Sequence, residues 1–202
     1  MKINYKMLMD KEIEHIKKTG KRPKLLLHSC CAPCSSAVLE MLVDVFDITL
    51  YFYNPNISEE SEFLFRLEEL KRLLFEMNLK EVKIVSPQYD SSEFFDIAKG
   101  MEELLEGGKR CEKCYRLRLE NSVLYAKENG YDYVTTTLTI SPYKNAQWLN
   151  EIGLELEEKY GVKYLCSDFK KGNGYKRSCE LSKEYNLYRQ NYCGCLYSKR
   201  QS

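Results

Sequence analysis

The stretch Lys24-Leu25-Leu26-Leu27-His28-Ser29-Cys30-Cys31-Ala32-Pro33-Cys34-Ser35-Ser36 decides the fold. Lys24 to His28 is a short apolar run that halts at small polar residues, the mark of a buried strand. Pro33, with Ser35 and Ser36 behind it, then opens a helix that runs from Ser35 to Val43. A strand followed at once by a helix is the opening of a crossover unit, and the same alternation continues outward along the chain.

Asp47 to Tyr53 (DITLYFY) reads as a second strand, closed by the turn Asn54-Pro55-Asn56. Ser58 with Glu59, Glu60 and Glu62 makes an acidic first turn, after which Phe63, Leu67, Leu70, Leu74 and Met77 recur on one helical face. Glu81 to Val85 is a third strand, residues 91–106 a broken helix, and Gly107-Gly108 a break. Cys111-Glu112-Lys113-Cys114 then leads into a helix that runs to about Asn129-Gly130. The β-branched run Tyr133 to Thr139 reads as the fourth strand, Asn145 to Tyr160 as a helix, and Lys163 to Cys166 as a short fifth strand. The expectation is α/β: a Rossmann-like, doubly wound, five-stranded parallel sheet over residues 1–169. Residues 170–202 differ, with eight basic and two acidic side chains. They read as a helical, cysteine-containing C-terminal extension packed on the same domain.

The 202 residues are 44% hydrophobic, enough to bury a sizeable core and to exclude disorder over most of the chain. With 31 Lys plus Arg against 30 Asp plus Glu, a polyanionic partner must be met by a local patch. Met1 to Lys6 lacks the apolar region of a secretory signal, and no stretch approaches the ~18 apolar residues of a membrane span. The expectation is therefore a soluble, cytoplasmic protein with no membrane partner.

Nine cysteines stand out, since a reducing cytosol does not sustain a disulfide framework. Seven are clustered: Cys30, Cys31 and Cys34; Cys111 and Cys114; Cys193 and Cys195. Cys166 and Cys179 stand apart and read as core residues. In an open parallel sheet ligands bind beyond the carboxyl ends of the strands, and the first two groups fall at such positions. Cys34 and Cys111 are too far apart for a local zinc ribbon. Adjacent Cys30 and Cys31 chelate one tetrahedral ion poorly but can reach different irons of a cubane, so the histidine-free set leans to an iron–sulfur cluster, with structural zinc as the alternative. Cys193-Gly194-Cys195 can close a strained disulfide or hold a second metal. His28 reads as a hydrogen-bonded strand-end histidine rather than a ligand.

Five ordered motifs carry a family resemblance. They are His28 to Ser35, Phe52 to Ile57, Cys111-Glu112-Lys113-Cys114-Tyr115-Arg116, Thr137 to Asn145, and Tyr192-Cys193-Gly194-Cys195. Together, over about residues 24–197, they resemble the cobalamin-independent epoxyqueuosine reductase family, QueH. The resemblance implies a HUP-type sheet and the last step of queuosine biosynthesis: reductive removal of the epoxide oxygen of epoxyqueuosine at the tRNA wobble position, with release of water. It implies that Cys30, Cys31, Cys111 and Cys114 hold a [4Fe-4S] cluster. Cys193 and Cys195 would then be a redox-active pair or, with Cys34, ligands of an adjacent mononuclear iron. Tyr115, Tyr143 and Lys144 are candidate proton donors.

An external electron donor is required, and no cobalamin, flavin or ATP is expected. No G-x-G-x-x-G fingerprint is present, and the first strand is followed by no glycine-rich phosphate loop. For tRNA, the basic run Lys109, Arg110, Lys113 and Arg116, together with Lys144, Lys176 and Arg177, is the expected phosphate-binding set. Two rivals carry different chemistry: an iron–sulfur tRNA-thiolating enzyme of the ATP-pyrophosphatase type, disfavoured by the missing phosphate loop, and a zinc-stabilised RNA-binding module.

Overall fold

The computed structural model describes residues 3–200; Met1 and Lys2, the start of the segment read for a secretory signal, and Gln201 and Ser202, the last of the basic extension, lie outside the described residues. In chain order the elements are α1 (Tyr5–Thr19), β1 (Lys24–His28), α2 (Ala32–Leu42), β2 (Asp47–Tyr51), α3 (Glu60–Glu76), β3 (Lys83–Val85), α4 (Ser92–Ala98) and α5 (Lys109–Glu128). They continue with β4 (Tyr133–Thr136), α6 (Ala146–Tyr160), β5 (Lys163–Tyr164), α7 (Gly174–Glu184) and the short α8 (Leu196–Lys199).

All strand pairings are parallel, in the order β3-β2-β1-β4-β5. The sheet grows from β1 to β3 in one direction and then resumes on the other side of β1 with β4 and β5. The reversal falls between β1 and β4, where His28 sits beside Thr136, and such a switch point opens a crevice at the strand ends. Burial on both faces follows from the central strand itself. Leu25 and Leu27 pack with α2 and α3, while Leu26 turns to Leu119 and Val123 of α5 and Leu149 and Ile152 of α6. Each of these fully buried leucines contributes roughly 1.5–3 kcal/mol of burial free energy.

The doubly wound α/β reading holds, with differences at the element ends. The fourth strand stops at Thr136 rather than Thr139 because the Thr136 hydroxyl accepts the Leu138 N–H and turns the chain into a 3-10 segment, Thr137–Ile140. The second and fifth strands are also shorter than expected, and α2 starts three residues earlier, at Ala32. Helix α1 is an addition to the expected elements: only Tyr5, Met9 and Ile16 are buried, too thin a stripe to stand out in a charged segment. In the C-terminal extension α7 lies against α2, with the Ser178 hydroxyl donating to the Pro33 carbonyl and Arg177 paired with Glu40. No helix among the described residues is long and apolar enough to cross a membrane.

Candidate active site

The first cysteine group is placed by the β1–α2 junction. Cys31 is the extended residue that precedes α2, and Pro33 occupies the first turn, where a missing N–H is harmless. The sulfur atoms of Cys30, Cys31 and Cys34 lie within 4.8 Å of one another, with Cys30 and Cys31 at 3.7 Å. The Cys30 backbone N–H and Sγ both meet the Thr137 hydroxyl, which ties the group to the end of β4. Three thiols this close share protons. Hydrogen bonds from Cys31 and Cys34 hold the Cys30 thiol well below its ordinary range, and those same bonds push Cys31 and Cys34 up. The cluster can hold a metal ion.

The second group is placed by the start of α5 and by the C-terminal segment. Cys111 Sγ accepts the Gly107 N–H at 3.3 Å, and Cys114 is buried, its thiol pushed up to about 12 by burial. Cys193 and Cys195 arrive from the other end of the chain. Gly194 between them has φ +114°, and an added Cβ would lie 2.9 Å from Ile57, so the glycine lets the two sulfurs turn into the site. Arg66 Nη1 donates to the Cys193 carbonyl at 3.1 Å and fixes that strap. All nine cysteines are free thiols.

Two adjoining cavities gather these groups. The larger, about 560 Å³, is lined by Cys30, Cys31, Cys34 and Cys193; the smaller is lined by Cys111, Cys114, Cys193 and Cys195. Cys193, Arg118, Lys144 and Glu106 border both. The seven clustered cysteines thus meet on one end of the sheet, grouped as Cys30 with Cys31 and Cys34, and Cys111 with Cys114, Cys193 and Cys195.

The electrostatics are unusual for a protein interior. Arg66, Arg110 and Arg118 are 1–2% exposed and Lys144 is 9% exposed. Arg66 has Glu62 and Lys144 has Glu106, but the hydrogen bonds of Arg118 run to the neutral partners His28 and Asn54. A buried guanidinium without a carboxylate is unfavourable unless an anion faces it. Burial alone would lower the pKa of Arg118, yet the facing Cys114, Cys193 and Cys30 thiols outweigh it and raise it. Six buried polar atoms without a partner belong to cavity-lining residues: Asn56 Oδ1, Arg66 Nη2, Arg110 Nε and Nη2, Tyr115 OH and Gln190 Oε1. Thiolate donors, uncompensated cations and orphaned polar atoms are together what an anionic, sulfur-ligated metal group would satisfy.

His28 is no ligand. It is fully buried, its Nδ1 lies 2.8 Å from the Thr136 hydroxyl, and burial together with the Arg118 cation lowers its pKa to about 3. Tyr115 is buried with its hydroxyl unpartnered and its pKa raised by burial, whereas Tyr143 is 77% exposed at the mouth of the larger cavity. Lys109, Lys113 and Lys176 are exposed; Arg116 is paired with Glu155 and Arg177 with Glu40. Two of the residues expected to meet phosphate are corrected. Arg110 is buried, donates to the Met101, Glu102 and Leu104 carbonyls and lies over the Tyr197 ring, so it braces a turn. Lys144 lies inside, 2.6 Å from Glu106.

Sequence reading missed Arg66, Glu106 and Gln190. For Arg66 a signal existed: it falls on the same face of α3 as Phe63, Leu67 and Leu70, and an arginine in an apolar stripe invites a buried role. Glu106 and Gln190 sit in irregular segments with no pattern to read.

Fold and site define a Rossmann-like α/β protein with a polythiol site at its switch point, three of whose cysteines can hold a metal ion. The chain belongs to the epoxyqueuosine reductase QueH family, whose sequence profile matches residues 25–201. It is 46% identical over 202 residues to a Staphylococcus epidermidis protein of that name, covering 98% of this chain and 85% of that one. A Streptococcus pyogenes protein of the same name is 43% identical, covering 98% and 79%, and one from Thermotoga maritima 38% identical, covering 86% and 89%.

Proposed function

We propose that this protein is an epoxyqueuosine reductase acting on tRNA. Two electrons and two protons remove the epoxide oxygen as water and leave a carbon–carbon double bond. The observation that carries the reading is the convergence of seven cysteines on two adjoining cavities at the switch point, in a chain of this family.

Cys30, Cys31, Cys111 and Cys114 would hold a [4Fe-4S] cluster, and Arg118 is the cation that faces thiols of both groups. Cys193 and Cys195, with Cys34 nearby, would act as a dithiol pair or hold an adjacent iron. Bound there, such a cluster would supply single electrons at low potential, and a neighbouring metal would supply a Lewis acid. The chain's own residues do the rest. Lys144 borders both cavities; burial works against its charge, but Cys193, Tyr115 and Glu106 outweigh this and raise its pKa, so it stays an ammonium. It steadies the negative charge that develops on the leaving oxygen. Tyr115, whose buried hydroxyl has no partner and borders the smaller cavity, would be the proton donor. Exposed Lys109, Lys113 and Lys176 meet backbone phosphates of the tRNA, while one nucleoside leaves its stack and enters the larger cavity. An external donor in the cytoplasm reloads the electrons.

The test is anaerobic turnover. Metal-loaded protein, a chemical reductant and tRNA carrying epoxyqueuosine are incubated, and the digested nucleosides are weighed by mass spectrometry with Cys111→Ala alongside. Loss of one oxygen with the native chain and none with the variant supports the reading; an unchanged nucleoside with iron-loaded protein sinks it.

A further inference from the structure

The larger cavity, about 560 Å³, is of the size that takes one unstacked nucleoside rather than a run of stacked bases. Tyr175 and Tyr192 line it half-buried, whereas Tyr143 stands at its mouth with 77% of its surface exposed. That exposure leaves the side chain little part in a step enclosed by the cavity. Yet the backbone beneath the ring is held from several sides. The Ser141 hydroxyl accepts the Tyr143 N–H at 3.3 Å, and the Ser141 carbonyl accepts the Lys144 N–H at 3.3 Å. Lys170 Nζ donates to the Ser141 and Lys144 carbonyls at 3.5 and 3.3 Å, and the Lys144 side chain turns inward to Glu106. Pro142 restricts the backbone further, and Asn145 caps α6 directly after the loop. A large aromatic ring is thus presented to solvent on a fixed loop beside the opening, which lowers the ordering cost of whatever docks on it.

We propose that Tyr143 is a positioning residue whose ring stacks on the base next to the flipped nucleoside, in the place that nucleoside leaves. This rests on the reductase reading. Moving the wobble nucleoside into the cavity unstacks it and leaves the flanking base with one face open to water. That face is flat, apolar and one nucleotide away from the cavity mouth, where Tyr143 stands. An aromatic ring can meet any base in this way, because every base has a π-face, so the contact holds the anticodon loop open without reading its sequence. Exposed Lys176, beside Tyr175 on α7, serves the phosphates instead, and the two kinds of contact answer differently to salt.

The experiment measures coupling between the ring and a base. Anaerobic, metal-loaded native chain, Tyr143→Ala and Tyr143→Phe are each titrated with an anticodon stem-loop RNA carrying epoxyqueuosine, and with the same RNA made abasic at the nucleotide on one side of it or the other. Tyr143→Ala should bind the intact RNA roughly tenfold more weakly at every salt concentration, the scale of one lost base–aromatic stack. Tyr143→Phe keeps the ring and should bind as the native chain does. With the native chain, one of the two abasic RNAs should lose a similar factor; with Tyr143→Ala, that same RNA should lose nothing further. An unchanged affinity in Tyr143→Ala overturns the proposal, and so do undiminished abasic losses in that variant, a Tyr143→Phe affinity as low as the alanine variant's, or an alanine loss that fades as salt is raised. Turnover of the epoxide is scored separately. Turnover without coupling sinks this proposal alone, coupling without turnover sinks the reductase reading alone, and an RNA that the native chain does not bind sinks both.

Discussion

Lys144 Nζ lies 2.6 Å from Glu106 Oε1 at the seam where the two cysteine-lined cavities meet. A lysine with a raised pKa is a poor proton donor but a durable positive charge. Lys144→Met should therefore lower kcat by about 10²–10³-fold with a smaller change in KM, and Lys144→Arg should recover part of the loss. Because the Lys144 pKa is raised, the pH–rate profile of the native chain should show no limb from it up to and beyond the ordinary lysine pKa of about 10.4. Steady-state kinetics carried into that alkaline range check both statements; a limb at the ordinary lysine value would refute the second.

Metal-free protein should contain one fast-reacting thiol. The Cys31 and Cys34 hydrogen bonds hold the Cys30 pKa well below the ordinary thiol range, so its thiolate forms at lower pH than those of Cys31, Cys34 and Cys114 and is lost only as pH falls through that lowered value. Cys31, Cys34 and Cys114 are raised and should stay protonated, hence slow, until the pH is well above neutral. Alkylation of metal-free protein near neutral pH, mapped by peptide mass, should label Cys30 first. Equal labelling of the three clustered thiols would show that they share no proton. Cys34→Ala, which removes one of the two hydrogen bonds that hold the anion, should slow the labelling of Cys30.

The fold was legible because its signals are local. Three leucines before Ser29, and the β-branched run Tyr133 to Thr136, mark central strands regardless of what packs on them. The strand ends were harder, since Thr136 closes β4 through a side-chain bond that no periodicity announces. The cysteines announced the site, but their grouping depends on where β1, α5 and the C-terminal strap converge, and that is a tertiary fact. Charge misled most: Arg110, in a basic run, and Lys144, a lone cation in the Ser141–Asn145 segment, both read as surface, yet both turn inward to carbonyls or to Glu106. Which member of a basic run is buried depends on the turn beside it, here residues 101–106.

The surface cations divide accordingly. Lys113 is exposed on α5 and Lys176 on α7. Removing one lysine that pairs with a phosphate should reduce the slope of log affinity against log salt by roughly 0.7–0.9. Lys113→Ala and Lys176→Ala are expected to weaken tRNA binding in this salt-dependent manner, equally for modified and unmodified tRNA. Arg110→Lys should leave the slope unchanged and lower thermal stability instead, since it breaks the fan of bonds to Met101, Glu102 and Leu104. Filter binding over a salt series, with melting curves, separates the two kinds of cation; a slope change in the Arg110 variant would place it on the tRNA surface after all.

Arg118 supplies the last and most discriminating test. Its Nε points at His28 Nε2 and its Nη2 at Asn54 Oδ1, so its charge is answered only by the facing thiols. In metal-free protein the facing Cys114 thiol is held neutral by burial and Cys30 is the facing thiol whose pKa is lowered, so the buried cation is only partly answered. Loading a thiolate-ligated metal group supplies the missing negative charge. Arg118→Gln should therefore cost the metal-free protein little stability, while it removes much of the stabilisation that loading adds to the native chain. The quantity to measure is the difference in melting temperature between loaded and metal-free forms, with iron content recorded for each. That difference should shrink in Arg118→Gln. An undiminished difference, at equal iron content, would mean that Arg118 serves the fold around His28 and Asn54 and not the charge of the site.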